Sequence, residues 1–158
     1  MKVEIRSRWS GALLFSLDAE SLSFAVEAAV KSGANLTDAD LTDANLTPIR
    51  DDLWAVLSAA PSEVVGLRAA IAEGRIDGST YEGDCACLVG TLANVRHVRY
   101  DAIPSLRPNS SRPIERFFLA IRKGDTPETS TFSRLALEWT DEWLANMRAA
   151  FGHREVAP

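Results

Sequence analysis

Asp38, Asp40, Asp43, Asp51 and Asp52 crowd five carboxylates into residues 38–52, with Arg50 the only cation among them, for a local charge of −4. Carboxylates spaced within a Debye length, about 8–10 Å at moderate salt, add their potentials instead of being screened apart. A cationic groove built for phosphates feels such a field, which raises the on-rate and competes with the nucleic acid the groove normally holds. The same residue types also serve as the outward polar positions of a turn-rich stretch. Calcium is a third use, but Asp38-x-Asp40-x-x-Asp43 has neither the glycine nor the distal glutamate of an EF-hand loop. No metal site is expected.

Other chemistry-bearing residues are sparser. Cys85 and Cys87 share a face on a strand and diverge on a helix, and their spacing is not the Cys-x-x-Cys of redox or zinc sites. They read as thiols acting as small apolar residues. His97 lies among Arg96, Arg99 and Tyr100 and has the right chemistry for a general base. It would need a nucleophile elbow, a phosphate loop or a paired carboxylate beside it, and no such motif accompanies it. The stretch Asp77-Gly-Ser-Thr-Tyr-Glu-Gly-Asp84 frames either a pocket, with Ser79, Thr80, Tyr81 and Glu82, or a tight loop held by Tyr81. Arg112, Arg116, Arg122, Lys123 and Arg134 form a basic counterweight, suited to a second contact patch, to pairing with the aspartates, or simply to a solvated helix face. No catalytic residue and no cofactor is assigned.

The elements that must hold these residues follow from pattern. Val3–Ile5 and Ala12–Leu17 are β-prone runs separated by polar residues and Gly11, which predicts a hairpin or two sheet strands. A helix is expected from Ser21 to Ser32-Gly33. Pro48 is read as the end of the next segment, with a helix starting at Asp51 or Asp52 and a second opening at Pro61 and ending at Gly74, the two forming a helical hairpin. Further helices are expected over Cys85–Val95, Ile114–Ile121 and Pro127–Phe151, the last with Trp139 and Trp143 on its core face. Residues 104–113, rich in Pro and Ser, read as a surface loop, and the tail 153–158 as frayed.

Between the first helix and Pro48 the chain repeats itself: Ala34-Asn-Leu-Thr-Asp38, Ala39-Asp-Leu-Thr-Asp43, Ala44-Asn-Leu-Thr-Pro48. A five-residue period rotates each copy by roughly 140° on a helix and flips faces on a strand, so neither keeps Leu36, Leu41 and Leu46 together. A chain that turns a corner at every unit does so, with leucine inward, alanine beside it and Asp, Asn and Thr toward water. The pattern resembles the pentapeptide-repeat proteins, in which four units make one coil of a right-handed square β-helix and long rods imitate DNA. Three units make only a truncated coil, capped by neighbouring helices. The blocks Leu46–Trp54, Asp77–Gly83, Cys85–Gly90, Ser111–Phe117 and Arg122–Pro127 resemble those of phage and prophage proteins with longer pentapeptide tracts, which implies a mobile-element origin and supplies no catalytic residue.

At 158 residues with 46% apolar side chains, one α+β domain is expected: residues 1–33 hairpin plus helix, 34–48 repeats, 49–152 helical, 153–158 tail. A net charge of −5 argues against direct nucleic-acid or anionic-lipid binding. The start shows no signal-peptide pattern and no run reaches a membrane span, so a cytoplasmic protein is expected, in which the glycosylation triplets at Asn35, Asn45 and Asn109 go unused. The functional expectation is a non-enzymatic, anti-CRISPR-like interaction protein. It would bind a host protein with a basic nucleic-acid-binding groove, such as a CRISPR effector subunit, through Asp38, Asp40, Asp43, Asp51 and Asp52. The rivals are a small enzyme using residues 77–84 with His97, and an inert phage structural or assembly protein.

Overall fold

A computed structural model describes residues 1–36, 39, 41 and 46–152, with only the backbone at Ser23. The chain is mixed helix and sheet. Strands β1 (Lys2–Arg6) and β2 (Leu13–Asp18) pair antiparallel, with Val3 opposite Leu17 and Ile5 opposite Phe15, before the register slips between Ile5 and Arg6. Val3 and Ile5 are buried while Lys2 and Arg6 are exposed, the period-two alternation of a sheet with one covered face. Helix α1 (Leu22–Lys31) covers that hairpin, its Ser21 hydroxyl accepting from the Phe24 amide at 3.2 Å, and it stops at Ser32 before Gly33 as expected.

In the repeat, Leu36, Ala39, Leu41 and Leu46 are all buried, and Ala34 packs against them. Ala39 bridges Ser7 at the end of β1, and its carbonyl accepts from the Thr131 hydroxyl at 3.1 Å. The path between these anchors, including Asp38, Asp40 and Asp43, lies outside the described residues.

Helix α2 (Thr47–Ala59) begins earlier than the sequence reading placed it. Pro48 sits inside its first turn, where a missing N–H is no loss, and the Ile49 and Arg50 amides already donate to Leu46 O at 3.0 Å. Asp51 and Asp52 therefore fall beyond the helix start. A 3-10 turn (Pro61–Glu63) leads into α3 (Val64–Ala72), and α2 meets the segment Pro61–Ala72 at a 100° bend, a corner where a helical hairpin was expected. Helix α4 (Leu88–Arg96) starts after both cysteines, and α5 (Pro113–Phe118) stops three residues before Ile121 because the chain tightens into turns at Ala120 and Ile121. Helix α6 (Thr131–Phe151) starts four residues after Pro127: the Thr126 amide donates to the Thr129 hydroxyl, closing a separate turn, and Ser130 then caps the helix.

The core gathers on α6. Phe117 lies 4.7 Å from Phe132 and 5.1 Å from Trp139, ring centre to ring centre. Trp139 and Trp143 are buried as expected, and indole N–H groups stitch α2 to α6, Trp54 donating to Trp139 O at 3.0 Å and Trp143 to Ser58 Oγ at 3.3 Å. Glu63, 5% exposed, accepts from Nε and Nη2 of Arg96 at 2.8 and 3.2 Å. Among the described residues every buried side-chain nitrogen and oxygen is hydrogen-bonded, and no single helix is long and apolar enough to cross a membrane.

Candidate functional site

Two of the five aspartates can be placed. Asp51, on the exposed face of α2, takes hydrogen bonds from its neighbour Arg50 at 3.1 and 3.2 Å. That guanidinium also stacks 4.6 Å above the Trp54 ring and lies 3.8 Å from Glu142. Asp52 is half-buried, and its Oδ2 accepts from the Ile114 amide at 3.0 Å, satisfying one of the N–H groups left over at the start of α5. Arg112 approaches the same carboxylate at 3.9 Å. The basic counterweight read in the sequence thus reaches one aspartate through Arg112. Asp52 also carries a long-range capping role within the chain that sequence reasoning missed, since its partner is 62 residues away.

Beside the repeat, Leu41, Leu46, Leu135 and Trp139 floor a depression of about 480 Å³ rimmed by Arg8, Arg50 and Arg134. Arg134 pairs with Glu138 at 2.9 Å and Arg50 with Asp51, so much of the rim's positive charge is met from outside the depression. The surface bordering residues 38–52 is therefore of mixed sign.

The loop at 77–84 is built by its own side chains. Asp77 Oδ1 accepts from the Ser79 amide at 3.0 Å and from the Ser79 hydroxyl at 2.5 Å, and Thr80 Oγ1 both accepts from the Glu82 amide and donates to Glu82 O at 3.1 Å. The Cys87 amide donates to Thr80 O at 2.7 Å, fastening the loop to the start of α4. Gly90 permits this: a Cβ there would stand 2.3 Å from Tyr81 O. Tyr81 stacks on Tyr100 with ring centres 5.1 Å apart, and its hydroxyl donates to Glu115 Oε2 at 2.7 Å. The tight-loop reading of Tyr81 holds, with Glu115 as the partner that the sequence did not reveal. Its position in the first turn of α5 was the available signal.

The structure brings this loop and His97 to one recess of about 400 Å³, with Glu82, Asn94, Arg99 and Tyr100 around it. His97 is exposed, in the left-handed conformation (φ 61°) that ends α4, and no hydrogen bond to its ring occurs among the described residues. Arg99 is turned to Asp101 at 3.1 Å.

Cys85 is half-buried and Cys87 buried, both as free thiols. Among the described residues no three His, Cys, Asp or Glu side chains gather as metal ligands. Burial pushes the Cys87 thiol up from an ordinary 9.0 to about 11, and burial together with the Glu115 carboxylate holds the Tyr81 phenol above its usual range. Both groups keep their protons more tightly folded than unfolded. For Cys87 the contribution is complete below about pH 9 and is lost as pH rises through about 11, about 3 kcal/mol, while that of Tyr81 persists to higher pH. A thermal melt is expected to fall steeply across that alkaline window, and an aromatic disulfide reagent at pH 8 to label Cys85 well before Cys87. A melting temperature flat to pH 11, or two thiols labelled at equal rates in the native protein, contradicts this.

No protein-family model, curated protein or solved structure matches the chain.

Proposed function

We propose that the protein is a non-enzymatic interaction protein of phage or other mobile-element origin, acting in the host cytoplasm. On this reading a truncated pentapeptide coil presents Asp38, Asp40 and Asp43 to the basic nucleic-acid-binding groove of a host defence complex, such as a CRISPR effector subunit. Asp51 borders the contact, and Asp52 is engaged chiefly in capping α5.

The observation that carries the reading is the burial of Leu36, Ala39, Leu41 and Leu46. Those four apolar residues are spent on the core, and Ala39 is pinned to Ser7 beside β1 and to Thr131 of α6. A carboxylate that followed those leucines inward would be a charge without water, costing several kcal/mol. On this reading the intervening aspartates stay toward water, which avoids the penalty.

The triple variant Asp38→Lys, Asp40→Lys, Asp43→Lys tests it. The wild-type protein, immobilised, is expected to retain a host nucleic-acid-binding complex that elutes with salt and is displaced by duplex DNA. The variant, melting within a few degrees of wild type, is expected to lose at least tenfold in retention. Retention indifferent to duplex DNA and to charge reversal removes the reading. The second reading, an enzyme working at the Tyr81–His97 recess, draws on their convergence there and predicts turnover that His97→Gln abolishes and the triple variant leaves alone.

A further inference from the structure

Glu63 and Glu115 are the two glutamates buried to more than nine-tenths among the described residues, and their surroundings differ. Glu63 is neutralised by Arg96. Glu115, 4% exposed, accepts only from two uncharged donors, the Asn109 amide at 2.9 Å and the Tyr81 hydroxyl at 2.7 Å, and among the described residues no cation lies within 4 Å of it. The short helix α5 adds a partial positive charge at its first turn, and no more. Each carboxylate oxygen has two lone-pair directions, so one on each remains for a further donor.

That carboxylate lines a cavity of about 210 Å³. Leu119, Cys87 and Tyr81 line it together with Ser79, Thr80 and Ser110, and Thr80 Oγ1 is already bonded to Glu82 as donor and as acceptor. Ser79 donates its own proton to Asp77, which leaves its oxygen lone pairs as acceptors. The neighbouring acids answer to the negative charge: after burial, the Glu115 charge is among the causes that keep both Tyr81 and Cys87 protonated. A small cavity that combines a buried carboxylate with the apolar side chains of Leu119 and Cys87 suits a compact point charge on a methylene stem. A flat guanidinium needs a paired carboxylate edge, and here both oxygens are already bonded in part.

The geometry points to this cavity as a binding site for a primary alkylammonium group, with the ammonium on Glu115 and its methylenes against Leu119 and Cys87. The group is carried either by a free amine or by a lysine side chain. The site is separate from the acidic segment, and the triple aspartate variant is expected to leave it unchanged.

The test is a titration of the full-length protein with n-butylammonium chloride, followed by amide chemical shifts. Saturable shifts are expected at Gly78–Tyr81, Ser110 and Glu115, with n-butanol, the same stem without the charge, binding at least tenfold more weakly. Glu115→Gln keeps the volume and an acceptor for Tyr81, and is expected to bring the two probes within twofold of each other. Should that variant not fold, Leu119→Trp fills the cavity from its partly exposed wall with Glu115 unchanged and is expected to abolish the shifts. Displacement of n-butylammonium by N-acetyl-lysine amide assigns the site to lysine side chains. Its failure to compete, with n-butylammonium still bound, assigns the site to free amines. Equal binding of n-butanol, non-saturating shifts, or shifts that survive Leu119→Trp overturn the proposal.

Discussion

Gly78→Ala is expected to destabilise the protein by about 3 kcal/mol or more and to lower its melting temperature by about 10 °C. A Cβ at residue 78 would stand 1.9 Å from Phe118 O, 2.6 Å from Phe118 C and 2.7 Å from Leu119 Cα. All three are backbone atoms at the end of α5, so no rotamer change relieves the overlap. Retreat of the loop would also break the Gly78 amide's bond to Ile121 O at 2.9 Å. Gly11→Ala is the control, because residue 11 has φ 69° but nothing within 4 Å of its would-be Cβ. It isolates the cost of left-handed backbone, about 1 kcal/mol. Thermal melts of both variants decide the matter, and a Gly78→Ala protein that melts within about 3 °C of wild type contradicts the close approach of the loop to α5.

Phe117→Ala is expected to cost about 3–5 kcal/mol, read as a lowered urea midpoint at unchanged slope. Phe117 is 1% exposed and touches three aromatic rings: Phe132 at 4.7 Å, Trp139 at 5.1 Å and Phe118 at 6.5 Å. Its removal strands atoms of α5 and α6 at once, and neither helix can close the gap without losing contacts elsewhere. A cycle combining Phe117→Leu with Trp139→Leu separates the ring pair from mere volume, with a coupling of about 0.5–1.5 kcal/mol expected. A loss below about 1.5 kcal/mol for Phe117→Ala means that the aromatic cluster is not the keystone of the core.

What could be read in the sequence was local. The hairpin was legible because Val3 and Ile5 alternate with charged residues, and α1 because Ser21 and Gly33 bracket it within ten or so positions. Pro48 misled because the same ring that ends one segment suits the first turn of the next, and only the buried Leu46 settles which use prevails. Pro127 misled in the same way, since the hydroxyls of Thr126 and Thr129 close a turn of their own ahead of α6. The inward face of the repeat was legible from its period. The roles of Asp52 and Glu115 were not, because each depends on a partner 62 or 34 residues away that no window of local pattern contains. The His97 recess lies between these cases: the loop and the histidine were each visible, and their meeting required the fold.

Helix α6 supplies the surface on which α2, α3 and the anchor of the repeat rest, yet it is the final described helix of the chain. During synthesis the ribosome must therefore release Trp143 before the apolar flanks of the earlier helices can be covered. Until then the nascent chain carries an open hydrophobic trough, a natural target for holdase chaperones, and chains cut short before Thr131 are expected to be cleared by proteolysis.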